Sequence, residues 1–120
     1  MSASFVRMFK PQFAPLVESG AKLQTIRPTP KRMPKPGDRI SLRSWTGKPY
    51  WSKQRVLREA VITQVLSCEI DSQGNVSIGG VGAFKGFAKA DGFVSHAAMT
   101  NWFRAQHGLP FSGVLIKWAA

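Results

Sequence analysis

An α+β fold follows from the pattern of elements along this 120-residue chain. Short segments of alternating or β-branched apolar residues outnumber helical ones, and the two kinds do not alternate as βαβ units. The expected form is a small mixed sheet of about six strands curled into a β-barrel, with two or three helices. The length suits one domain, 1–120, and 43% hydrophobic with 19% charged residues is a globular composition rather than a disordered one.

The elements can be justified in order. Ser4 to Phe9 alternates, with Phe5, Arg7 and Phe9 on one face and Val6 and Met8 on the other, as a strand does. Pro11 stops it. Gln12 to Ser19 carries Phe13, Leu16 and Val17 at helical spacing; Pro15 lies early enough to be tolerated, and Gly20 suits the left-handed position that ends a helix. Leu23 to Arg27 is a second strand. Four prolines in the next nine residues, Pro28 to Pro36, forbid helix. Gly37-Asp38 turns the chain into a third strand, Arg39 to Arg43. Ser44 to Lys53 reads as a loop. Arg55 to Glu69 is a long β-branched strand with a bend or bulge partway. Asp71 to Asn75 is a hairpin turn, and Val76 to Ile78 returns. Gly79 to Gly86, with four glycines, reads as a flexible loop without the ending of a phosphate-binding loop. Ser95 is a good N-cap for a helix to His107 that buries Met99, Trp102 and Phe103, and Gly108 and Pro110 end it. Ser112 to Trp118 is the closing strand.

Several function classes are excluded. The single cysteine, Cys68, cannot form an internal disulfide and reads as a buried inert thiol. His96 and His107 lie eleven apart with no acid between them, so no metal site and no cofactor are expected. Apolar runs are too short for a membrane span, and no apolar signal core opens the chain, so cytoplasm is the expected compartment.

Charge is the informative quantity. Residues 1–58 hold thirteen of the seventeen lysines and arginines against only Glu18 and Asp38; the second half is balanced, four against four. The whole net charge of +11 therefore sits in the first half. A one-sided excess points to a polyanion. Because the basic segment is rich in proline and forms no amphipathic helix, a phosphate backbone fits better than a membrane surface. Trp45, Tyr50 and Trp51 are interleaved with Arg43, Lys48, Lys53 and Arg55, an arrangement that stacks unpaired bases while cations track phosphates. The competing reading of these rings is a small core packed under the loop.

The densest chemistry lies in Gly20-Ala21-Lys22-Leu23-Gln24-Thr25-Ile26-Arg27. On a regular strand Thr25 and Arg27 share a face, and Lys22 joins them only if the chain turns just after Gly20. This G-x-K-x-x-T-x-R pattern, the later Pro36-Gly37-Asp38, Ala90-Asp91-Gly92-Phe93, Trp102-Phe103, Gly108, Pro110-Phe111 and Lys117-Trp118 together resemble the ASCH domain, a member of the PUA-like superfamily of RNA-associated β-barrels. The resemblance covers nearly the whole chain. It implies RNA or a modified nucleoside as partner. It also implies a link to enzymes that hydrolyse acetylated cytidine with a lysine, a threonine and a glutamate. Those positions match Lys22, Thr25 and Asp91, with Arg27 beside them; aspartate departs from the pattern by being one methylene shorter. Chemically, Lys22 could act as base toward the Thr25 hydroxyl if burial or cations lower its pKa, and Asp91 could protonate a leaving amine or hold Lys22 in place. The expected function is nucleic-acid binding in a cleft lined by Lys22, Thr25, Arg27 and Asp91, with Lys31, Arg32, Lys35 and Arg39 as a basic rim and Trp45 and Trp51 as stacking groups. The alternatives are a hydrolase in the same cleft, either an amidohydrolase or a metal-independent ribonuclease, and a small protein-binding adaptor.

Overall fold

Alternation at the start of the chain becomes a strand, Ser4–Met8 (β1), with Phe5 buried and Val6 outside. The computed structural model describes residues 3–83 and 85–119. The first helix is one residue pair shorter than its apolar spacing suggests, Ala14–Ser19 (α1), with Pro15 in its first turn and Gly20 closing it at φ 86°. The next strands are Gln24–Pro28 (β2) and Arg39–Trp45 (β3); Ser44 and Trp45, read as loop, continue β3. Gln54–Ile70 (β4) is one strand of 17 residues. Val76–Ile78 (β5) follows the hairpin turn. The glycine-rich stretch expected to be loop holds a two-residue strand, Val81–Gly82 (β6), and residue 84 lies outside the described residues. A single helical turn, Phe87–Ala90 (α2), also went unread because four residues carry no periodicity. Ser95 caps His96–Gln106 (α3), accepting from Ala98 N at 3.1 Å, and Phe111–Trp118 (β7) closes the sequence of elements.

The seven strands form one mixed sheet. β1 runs parallel to β3, and β3 antiparallel to the first half of β4. The second half of β4 pairs with β5 and with β7, and β7 in turn pairs with β2. One long strand thus serves two half-sheets. The register slips opposite Leu42/Arg43 and again between Ile62 and Gln64, which supplies the expected bend in β4. Among the described residues no backbone ladder joins β1 to β2, so the curled sheet is not closed into a barrel.

Between the curled sheet and the helices lies a core that includes Ile40, Leu42, Ile62, Met99, Phe103 and Ile116, each no more than 1% exposed. β7 is buried on both faces over Gly113 to Ile116, as a central strand must be. Gly113 is required there: a Cβ would lie 2.2 Å from the carbonyl oxygen of Arg27 on β2. Cys68 is fully buried on β4, and burial pushes its thiol up to about 12, consistent with the inert reading. No helix is long and apolar enough to cross a membrane among the described residues.

Candidate functional site

β1 and β3 are parallel, so their ends meet on one side of the sheet. A cavity of about 460 Å³ opens there. Its strand-borne wall includes Met8, Phe9, Ser44 and Trp45; β2 contributes Thr25 and Arg27; and helix-side residues Asp91, Phe93 and Trp102 face them.

Lys22 reaches this cavity by a local device. After Gly20 the chain folds back, and the Lys22 amide donates to Leu16 O at 3.0 Å. That reversal brings Lys22 to the side occupied by Thr25 and Arg27. Asp91 ends the short turn of α2, its amide donating to Phe87 O at 3.1 Å. Gly92 follows at φ 94°, and a Cβ there would sit 3.2 Å from Lys22 Cδ and 3.1 Å from Phe13 Cδ1. Glycine therefore lets the lysine stem pass and supplies the left-handed backbone.

Lys22 Nζ donates to Asp91 O at 2.5 Å and lies 3.3 Å from Asp91 Oδ1, both side chains only 4% exposed. Gln24 Nε2 also donates to Oδ1, at 3.4 Å. The ammonium stands 5.1 Å from the centre of the Phe13 ring. Burial dominates both titrations. It lowers Lys22 below the ordinary lysine range, with mutual attraction to Asp91 opposing and Arg27 adding to the fall. It raises Asp91 above the ordinary carboxylate range against the pull of Lys22.

Arg27 makes a second cluster. Its Nε donates to Thr25 Oγ1 at 3.0 Å and its Nη2 to Met8 O at 2.7 Å, while the guanidinium lies 4.8 Å from the Phe9 ring centre. Burial, then repulsion from Arg7, lowers its pKa to about 10, still cationic at neutral pH. The structure thus brings Lys22 together with Asp91, and Thr25 together with Arg27. Among the described residues no hydrogen bond joins Lys22 to Thr25.

The walls are aromatic. Phe13, Phe93 and Trp102 meet edge to face, with centroids 5.2 to 5.7 Å apart. Trp102, expected in the core, is half-buried and lines the cavity. His107 also lines it, its ring against Trp102 and Phe111; burial, then the Arg27 and Lys10 charges, lower its pKa and favour the neutral imidazole. Phe9, Phe13, Phe93, Gln24 and His107 were not read as site residues. The usable signals are short spacings: Phe93 stands two residues after Asp91, and Gln24 lies inside the Lys22–Arg27 segment.

The aromatic loop does not fold under as a small core. Tyr50 is 87% and Trp51 81% exposed. Trp45 is half-buried, stacks obliquely on Tyr50 at 5.1 Å, and lines the cavity with it; Trp51 does not line it. The loop is nonetheless pinned. Thr46 N and Oγ1 both donate to Lys53 O, Gly47 N donates to Ser52 Oγ, and Ser52 Oγ to Lys48 O. Tyr50 takes φ 65°, a left-handed position that costs a non-glycine residue on the order of 1–3 kcal/mol.

The basic rim is a correction. Lys31, Arg32, Lys35 and Arg39 do not line the cavity. Arg39 starts β3 and Trp45 ends it, about 20 Å apart at ~3.3 Å per residue. Asp38 fastens the proline-rich loop at the Arg39 end, accepting from Ala3 N and Lys35 N at 2.9 Å each. Arg32 lies 4.5 Å over the Phe5 ring near that same end.

No family model, curated protein or solved structure matches the chain.

Proposed function

We propose that this chain is a nucleic-acid-binding domain of the ASCH, PUA-like type, with RNA as partner, and that its cavity receives one unpaired base or a modified nucleoside. The observation that carries this reading is the cavity itself. It has aromatic walls, a floor of buried Lys22, Thr25 and Asp91 with half-buried Arg27, and a volume of about 460 Å³ in the range of small-ligand sites, in a chain of net charge +11. Rings offer faces to a base; the cationic groups and the carboxylate offer complementary contacts to its polar edge. The gap between β1 and β2 is spanned by the Arg27 side chain reaching Met8 O, which supports reading the sheet as an open version of the superfamily's barrel.

Titration of a single-stranded RNA 8-mer and of cytidine, followed by calorimetry and tryptophan fluorescence, tests the reading. RNA affinity should fall with salt at a log–log slope of about −0.7 per neutralised phosphate. Arg27→Gln should weaken cytidine about tenfold, the loss of one charged hydrogen bond. Failure of the 8-mer to bind even at low salt overturns the proposal and favours the protein-binding adaptor.

A hydrolase in the same cavity is the second reading, favoured by one specific observation: Asp91, though shorter than the glutamate of the resembling enzymes, lies 3.3 Å from Lys22. Against it, Lys22 Nζ donates to the Asp91 carbonyl and accepts nothing from the Thr25 hydroxyl among the described residues, so Lys22 is not aligned as a base. Incubation with an acetylated cytidine and with RNA separates the two. Turnover by the parent chain that disappears in Thr25→Ala, with binding retained, would establish the enzyme.

A further inference from the structure

Among the described residues no element covers the outer face formed by β1, β3 and the first half of β4. On β3 the outward row is Arg39, Ser41, Arg43 and Trp45, while Ile40, Leu42 and Ser44 point inward and are buried. On either side of the row stand Val6, Val61 and Val56, paired in register with Ser41, Arg39 and Arg43, and 43 to 48% exposed. The Arg39 side chain makes no hydrogen bond, ion pair or ring contact among the described residues. Arg43 is held along the face, its Nε donating to Ser41 Oγ at 2.9 Å and its Nη1 to Gln54 Oε1 at 3.0 Å, which leaves Nη2 without a hydrogen-bond partner among the described residues. Glu59, opposite Ser41 and accepting from its Oγ at 3.5 Å, is the one acid on this face among the described residues. The row begins beside the proline-rich loop, with Arg32 and Lys35, and ends at Trp45, Tyr50 and the cavity mouth.

We propose that this face is the track of a single nucleic-acid strand: its phosphates lie along Arg43 and Arg39 toward the proline-rich loop, and one base enters the cavity past a shelf made by Tyr50 and Trp51. The proposal rests on the nucleic-acid reading above and adds that the ligand is a strand, not a free nucleoside. Charge complementarity favours a polyanion. The shelf is independent support, because two rings are more than four-fifths exposed on a loop pinned by hydrogen bonds and held at a strained Tyr50. The ~20 Å from Trp45 to Arg39 spans up to about six nucleotides at the ~3.4 Å spacing of a stacked strand.

A length series of oligouridylates, from the dinucleotide to a 12-mer, tests this at low salt with the intact chain. Affinity should climb to about seven nucleotides and then level. Arg39→Gln/Arg43→Gln should weaken the 8-mer at least tenfold, far more than the dinucleotide, and flatten the 8-mer's salt slope by about 1.4, two phosphates' worth. Tyr50→Ala/Trp51→Ala should weaken the 8-mer about tenfold without altering that slope; Lys89→Ala, on the surface of α2, should change neither. If the double arginine variant is not folded, Arg39→Gln alone should flatten the slope by about 0.7, since Arg39 holds nothing in place. An unchanged length dependence and slope in the arginine variants overturns the track while the parent chain's RNA binding keeps the broader reading. Absence of binding by both the dinucleotide and the 8-mer removes both. A dimer in sedimentation that Val6→Glu/Val61→Glu converts to monomer would give this face to a second copy of the chain and overturn the track as well.

Discussion

At the scale of single residues, the Lys22–Asp91 pair sets the character of the cavity floor. A buried ion pair is weak evidence for stability, yet breaking one is costly because it strands the other charge. Lys22→Met should therefore cost about 3–5 kcal/mol at pH 7 in denaturant unfolding, and Lys22→Met/Asp91→Leu should recover most of it. The sign of the pH effect follows from Asp91, whose folded pKa is already raised by burial and loses its attracting partner in the variant. A carboxyl with a raised folded pKa binds its proton more tightly when folded, so the variant's deficit should narrow as pH falls from 7 toward 5. A deficit that widens on acidification would contradict this account. Lys22, Thr25 and Arg27 stand out because they share one short segment, whereas Asp91 is picked out only by the family resemblance of Ala90-Asp91-Gly92-Phe93. Their pairing is not legible. Thr25 is taken by Arg27 and Lys22 by Asp91, a contact across 69 residues that no local spacing encodes.

Among elements, α3 was the most legible, because it is long, periodic and capped by Ser95. Its apolar stripe nonetheless divides between two jobs. Phe103 is 1% exposed and touches Phe93, Trp102 and Phe111, whereas Trp102, one position earlier, turns its ring toward the cavity. Phe103→Ala should cost about 3–5 kcal/mol, and Trp102→Ala distinctly less while weakening cytidine; thermal melts and the same titrations check both. Equal destabilisation with intact binding would return Trp102 to the core. β7 offers a sharper test of packing. Gly113→Ala should cost about 3 kcal/mol or more, since its methyl would meet the β2 backbone, while Gly82→Ala, with open space around it, should stay within about 0.5 kcal/mol. The bulges of β4 were legible only as a bend. β6 and α2, two and four residues long, are too short to leave a periodic trace.

For the molecule as a whole, charge asymmetry was plain in the sequence, but its placement was not. The fold divides the basic first half between the cavity floor, the outer sheet face and the loop at the far end of β3. Concentrated like charge also repels itself. Added salt should raise the melting temperature of the free chain between about 20 and 300 mM by screening, and Lys31→Glu/Arg32→Glu/Lys35→Glu should shrink that rise. A melting temperature indifferent to salt would show that these cations are too far apart to matter. The expected barrel failed to close for a reason the strands' own sequences do not contain: closure is a matter of which edges meet, and here a guanidinium occupies the place of a ladder.

The position of β7 between β2 and β4 carries a consequence in time. Gln24 pairs with Lys117 and Leu66 with Leu115, so both partners are made long before the strand that joins them. At about 5–20 residues per second, β2 leaves the ribosome on the order of ten seconds ahead of β7. Until then the edges of β2 and β4 stand open, with Ile26, Ile62 and the fully buried Cys68 uncovered. High sequence separation of contacts slows the final step further. The cavity is thus among the last features of the molecule to exist, and whatever enters it meets only chains whose synthesis has passed Trp118.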